Sequence, residues 1–97
     1  MNLADATVSM PDTAVLGDKI THLMLLALMS NQHQPSAITY GMAARRAGAT
    51  WDELRAVASL TVLAHGLAAK DACETVLGAV ADREQQERVA GAVAAYG

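Results

Sequence analysis

The chain has 97 residues, 53% of them apolar, only three aromatics with no Phe among them, and a formal charge of −3. That length makes one domain, and the negative balance leaves no basic field to attract nucleic acid or an acidic membrane. A single cysteine, Cys73, excludes an internal disulfide, a Cys-x-x-Cys redox pair and a thiolate-rich zinc site, and it agrees with a reducing compartment.

Residues 1–13 are weakly patterned, with Pro11 and Asp12 near a turn; they read as a tail or an arm laid on a neighbour, ahead of a single domain over 14–97. Their one charged side chain before the turn is acidic Asp5, so no secretory signal is expected. The first helix is predicted over 18–30, capped by Asp18. Ile20, Leu23, Met24 and Ala27 make one apolar face, and Leu25, Leu26, Leu28 and Met29 cover the other side. Its apolar run, Leu23 to Met29, is far below the roughly 18–20 residues that span a bilayer. The expectation is a soluble, cytoplasmic protein.

Asn31 to Gln34 is a polar connection. Pro35 suits the first turn of a second helix, predicted over 35–47, and Gly48 suits the left-handed residue that ends it. Thr50 followed by Glu53 is a capping box for a third helix over 50–65, which Gly66 stops. Trp51, Leu54, Val57, Ala58, Thr61 and Ala64 share one of its faces, while Ala56, Leu60 and Leu63 cover another. A fourth helix over 67–80 turns Lys70, Asp71 and Glu74 outward, and a fifth over 82–95 opens with a charged run, Asp82 to Arg88, read as a solvated face. Strand-like alternation is absent, so the fold class is all-α, a bundle of about five helices.

The first and third helices lack a polar side, and a helix apolar all round must be buried all round. One small domain cannot hide both, because it buries only about 60–70% of the surface its unfolded chain exposes. A homo-oligomer of closed symmetry is expected.

From about Leu16 to Val80, two thirds of the chain, the order of pieces resembles the carboxymuconolactone decarboxylase and alkylhydroperoxidase-D family. The pieces are an apolar helix (Lys19 to Met29), a polar loop (Asn31 to Gln34), Ala47-Gly48-Ala49-Thr50, Glu53-Leu54, and Gly66-Leu67-Ala68-Ala69. The resemblance implies an alkylhydroperoxidase-D-like helical bundle, assembled as a homotrimer or hexamer, with a pocket near a subunit boundary. The peroxidase branch carries Cys-x-x-Cys-x-x-x-His, its His eight residues before the glycine. Counting back from Gly48 puts Tyr40 at that His, Ser36 at the second Cys and His33 at the first. A thiol relay needs two sulfurs within bonding reach, so thiol-peroxidase activity is not expected. The family's acid in the first long helix falls near Thr21 or His22. The active site is degenerate by this comparison.

His33, Ser36 and Tyr40 are spaced by three and four, so they share a face if the helix begins near His33. In a pocket wall His33 would be the base, Ser36 a hydrogen-bond donor or weak nucleophile, and Tyr40 the proton donor. Free N–H groups of Ser36 and Ala37 at the helix start would hold a substrate carboxylate. The plainer alternative makes His33 a loop residue, Ser36 a first-turn polar residue and Tyr40 a packing residue; neither Tyr40 nor His33 is expected to hold the core. His22 is either a buried hydrogen-bonder or an acid–base group, and His65 either meets the dipole at its helix end or faces the pocket. Arg45, with Arg46, either clamps a carboxylate across an interface or lies on a solvated face. No metal is expected, since no local His-x-x-x-His spacing exists, and no cofactor. Cys73 reads as a small buried hydrophobe whose thiol Asp71 and Glu74 would push upward. The methionines read as core filler and Trp51 as a shield over the Gly48 turn.

Two functions follow. One is a cofactor-independent carboxymuconolactone decarboxylase-like lyase moving protons on a small carboxylate or lactone-like metabolite. The other is an inert relative serving as a helical binding or assembly module.

Overall fold

Local stop signals set the helix boundaries. The computed structural model describes residues 13–96, and the predicted arm over 1–13 falls almost wholly outside them. After a 3-10 turn at Thr13–Val15 come α1 (Gly17–Asn31), α2 (Ser36–Arg46), α3 (Trp51–His65) and α4 (Ala68–Tyr96). No strand occurs among the described residues, and no helix among them is long and apolar enough to cross a membrane.

The end of α2 is a Schellman motif. Gly48, at φ 100°, donates its N–H to the Arg45 carbonyl at 3.0 Å, and Ala49 donates to Ala44 at 2.9 Å. Ala44 and Ala49 are both buried, which supplies the apolar contact that closes such an end. The chain restarts at once: the Glu53 N–H donates to Thr50 Oγ1 at 3.1 Å while the Thr50 N–H donates to Glu53 Oε1 at 3.0 Å. Glu53 also meets Lys19 Nζ of α1 at 3.1 Å, so one carboxylate caps α3 and ties it to α1.

The Glu53 carboxyl is held below its usual range, first by the Thr50 backbone N–H and then by Lys19. A depressed folded-state pKa means its contribution is present above the unfolded value and is lost as pH falls through the folded one. Thr50→Ala should cost about 1 kcal/mol by denaturant titration at neutral pH. Glu53→Gln should flatten the acid limb of the stability curve; an unchanged limb refutes the tie.

The predicted fourth and fifth helices are one helix of 29 residues, about 43 Å long. Nothing at Ala81-Asp82 breaks it: no proline or glycine stands there, and the following Arg, Glu and Gln are good helix formers. The described residues therefore hold four α-helices, not five. The first half of α4 packs on the domain through Ala69, Cys73 and Val80, whereas every residue from Gln85 to Tyr96 is exposed.

Leu23 and Leu26 of α1, Met42 and Ala44 of α2, Leu54 of α3 and Val80 of α4 meet in the core, with Ala49 beneath the turn. Gly41 lets the backbones close. A Cβ there would sit 2.6 Å from Val80 Cγ2 and 3.5 Å from Leu26 Cδ1, so α2 crosses α1 and α4 where no side chain fits. The all-round apolar helices are covered on one side only. Ile20, Met24 and Leu28 remain exposed on α1, and Leu60 and Leu63 on α3.

Candidate functional site

The decisive question is whether the five predicted polar residues meet. Two do. His22 on α1 and Tyr40 on α2 place their ring centroids 6.3 Å apart at 30°. His22 Nδ1 lies 2.8 Å from the Asp18 carbonyl; a carbonyl only accepts, so Nδ1 carries the hydrogen and Nε2 is left as the acceptor of the neutral ring. Tyr40 also packs against the core cluster, which corrects the expectation that it holds nothing there.

His33 does not join them. It is the one non-glycine residue among those described at positive φ, 56°, and its N–H closes onto the Ser30 carbonyl at 3.2 Å. Helix α2 begins only at Ser36, so the spacing that would align His33, Ser36 and Tyr40 on one helical face does not apply. His33 instead borders a hollow of about 350 Å³ with Pro35, Ile38, Asp71 and Val76. His65 ends α3, exposed, at the edge of a separate groove also of about 350 Å³. No residue lines both hollows, and neither includes Ser36 or Tyr40.

The expected anion site at the start of α2 is also altered. The Ala37 N–H donates to the Gln34 carbonyl at 3.0 Å, Ile38 donates to Pro35 at 3.2 Å, and Ala37 is fully buried. The tight first turn spends those donors on the chain itself, so Ala37 does not offer a free N–H to a substrate.

Arg45 is committed elsewhere. Its Nε lies 2.6 Å from Glu84 Oε1 and its NH2 3.4 Å from Oε2, while NH1 donates to the Ala49 carbonyl at 2.7 Å. The guanidinium stacks 4.9 Å from the Trp51 ring. Trp51 thus covers this cation beside the Gly48 turn. Arg46 pairs with Glu87 at 3.0 Å at the surface. The charged run of α4 is therefore a row of cross-helix partners for α2 and not only a solvated face. Sequence reasoning missed it because the partners are 39 and 41 residues apart. Local spacing signals only pairs within a helix.

Cys73 is buried, and burial, not the neighbouring acids, pushes its thiol upward. Among the described residues no group of three or more His, Cys, Asp or Glu could hold a metal ion. Comparison of the chain with family models, curated proteins and solved structures returned no match in any of the three.

The groove that ends at His65 is apolar. Ile20, Met24 and Leu28, one turn apart along α1, face Leu60 and Ala64 of α3, with His65 at one end. No Asp, Glu, Lys or Arg lines it. Its wall residues are 41%, 52%, 53% and 63% exposed at Ile20, Met24, Leu28 and Leu60. The signal in the sequence was the helix without a polar side, which marked surface to be covered but not which side of it.

Proposed function

We propose that this chain is a self-associating helical module of the cytoplasm, built on a carboxymuconolactone decarboxylase-like scaffold whose reacting groups have changed. The family resemblance suggests a trimer or a hexamer. The carrying observation is the exposed apolar surface: eleven large apolar residues are exposed, whereas only Leu54 and Val80 are large and fully buried among the described residues. Full burial of each such side chain is worth about 1.5–3 kcal/mol, against a typical domain stability of about 5–15 kcal/mol, so covering even a few of them decides the state. Scattered candidate catalysts in separate hollows also favour a module. Light scattering on the eluting peak at micromolar concentration tests this. A mass of several chains is expected, and a single-chain mass overturns it.

One observation favours an enzyme as a second reading. His22 and Tyr40 stand where the resembled family keeps its acid and its histidine, and their rings meet. In a proton-transfer lyase acting on a small carboxylate or lactone-like substrate, His22 Nε2 would accept a proton and the Tyr40 hydroxyl would donate one, with Ser36 and a neighbouring subunit completing the pocket. Tyr40→Phe should then lower kcat on such a substrate by about 10²–10⁴-fold. Full retention of turnover removes this reading.

A further inference from the structure

Building on the self-association reading, we infer that the C-terminal half of α4 from one copy lies in the α1–α3 groove of another. That half is an arm with an apolar stripe. Val89, Val93 and Tyr96 follow at intervals of four and three, the spacing of one helical face. They are 52%, 66% and 94% exposed.

The arm cannot satisfy itself. Glu84 and Glu87, which bind Arg45 and Arg46 of its own chain, lie about 140–160° around the helix from Val89 at 100° per residue. The ion pairs hold one side of α4 to the domain, so the stripe is turned away from it. Nor can the stripe reach the groove of its own chain. Val93 is about 37 Å along α4 from Ala68, while Leu60 lies within two turns of the hairpin that joins the helices.

The two surfaces match. Ile20 to Leu28 runs about 12 Å along α1, and Val89 to Tyr96 about 10 Å along α4. The groove has no Asp, Glu, Lys or Arg in its walls, and the stripe is flanked by Gln85, Gln86 and Ala92, with Arg88, bonded to Gln85, as a lone cation beside it, far short of the basic cluster that draws a helix to acidic lipid. A second copy is the occupant because each chain carries one donor and one acceptor. Reciprocal exchange closes a dimer, and head-to-tail donation closes a ring such as a trimer.

Three full-length variants and one pairing test the arrangement, with every arm and groove substitution on a side chain that is exposed in the single chain. Val89→Glu with Val93→Glu on the arm, and Met24→Glu or Leu60→Glu in the groove, should each reduce the wild-type mass to that of one chain while helical circular dichroism stays unchanged. In a Cys73→Ala background, mixing Val93→Cys chains with Leu60→Cys chains and oxidising should yield a disulfide-linked pair, since such a bond needs Cα atoms within about 7 Å. A wild-type mass of one chain sinks self-association itself. An oligomeric wild type whose arm variant keeps its mass, or whose mixed cysteines fail to link, leaves self-association standing and overturns the arm as its means.

Discussion

Replacing Gly41 by Ala should destabilise the fold by about 1–3 kcal/mol, the usual cost of forcing extra atoms into a packed core. Intrinsic propensity argues the other way, since Ala is better than Gly inside a helix by about 0.8–1 kcal/mol. Packing wins because the new methyl would lie 2.6 Å from Val80 Cγ2, on a fully buried side chain. Val is stiff about χ1 and cannot swing aside, and Leu26 Cδ1 at 3.5 Å closes the other direction. Gly41→Leu should prevent α4 from docking at all. The clash is also separable from any backbone effect. Val80→Ala destabilises alone by emptying a buried site, but combined with Gly41→Ala it should cost less than the sum, a coupling of about 0.5–3 kcal/mol for residues in contact. Urea midpoints at constant m-value measure Gly41→Ala, Val80→Ala and their combination. A Gly41→Ala protein as stable as wild type, or more so, would show that the helices do not approach this closely.

Gly41 was invisible in the sequence for a reason that applies widely. A glycine within a helix announces itself only when its backbone is unusual, and Gly41 has ordinary helical geometry; its role comes from Val80, 39 residues away. The Gly48 turn was legible because everything it needs is local. A left-handed glycine, a buried alanine after it, then Thr50 and Glu53 at capping distance sit within six residues, and their hydrogen bonds reach back no further than Ala44. The join between the predicted fourth and fifth helices failed from the opposite cause. The charged run suggested a solvated restart, but with no breaker at Ala81-Asp82 helix propagation simply continues, and Glu84 and Glu87 find cations on another helix.

The candidate site divides along the same line. His22 and Tyr40 come together because both lie on long helices joined by a short connection, so their positions follow from helix packing. His33 fails to join because its placement depends on one backbone dihedral. Histidine is not a residue from which a left-handed conformation is inferred, although it is among the more tolerant non-glycine types. The groove was half legible. A helix with no polar side states that its surface calls for cover, but only the tertiary arrangement shows that α2 takes the Leu23–Leu26 side and leaves Ile20, Met24 and Leu28 open.

Arg45→Ala should be the most costly surface-side substitution, about 2–4 kcal/mol, while Arg46→Ala, one residue on, should cost no more than about 1 kcal/mol. Both arginines pair with a glutamate of α4, so a count of ion pairs would rank them equally. Their environments do not. The Arg45–Glu84 side chains are 27% and 14% exposed, against 64% and 58% for Arg46–Glu87. Arg45 also donates to the Ala49 carbonyl at the Schellman turn and stacks on Trp51, the latter worth about 0.5–1 kcal/mol where solvent still reaches. Removing it strands Glu84 in a half-buried site, and that uncompensated charge supplies much of the loss. Arg45→Lys should recover little, since an ammonium can neither fork across two carboxylate oxygens nor stack flat on the indole. A double-mutant cycle with Glu84→Ala isolates the pair: strong coupling for Arg45 and coupling near zero for Arg46 with Glu87→Ala are expected, and equal coupling for the two would refute the role of burial. The consequence extends beyond stability, because this anchor aims the distal half of α4 away from its own domain. On the proposed self-association, an Arg45→Ala chain should therefore assemble less tightly than wild type at a concentration where its helices are still fully formed, visible as a mass that falls on dilution before helicity does.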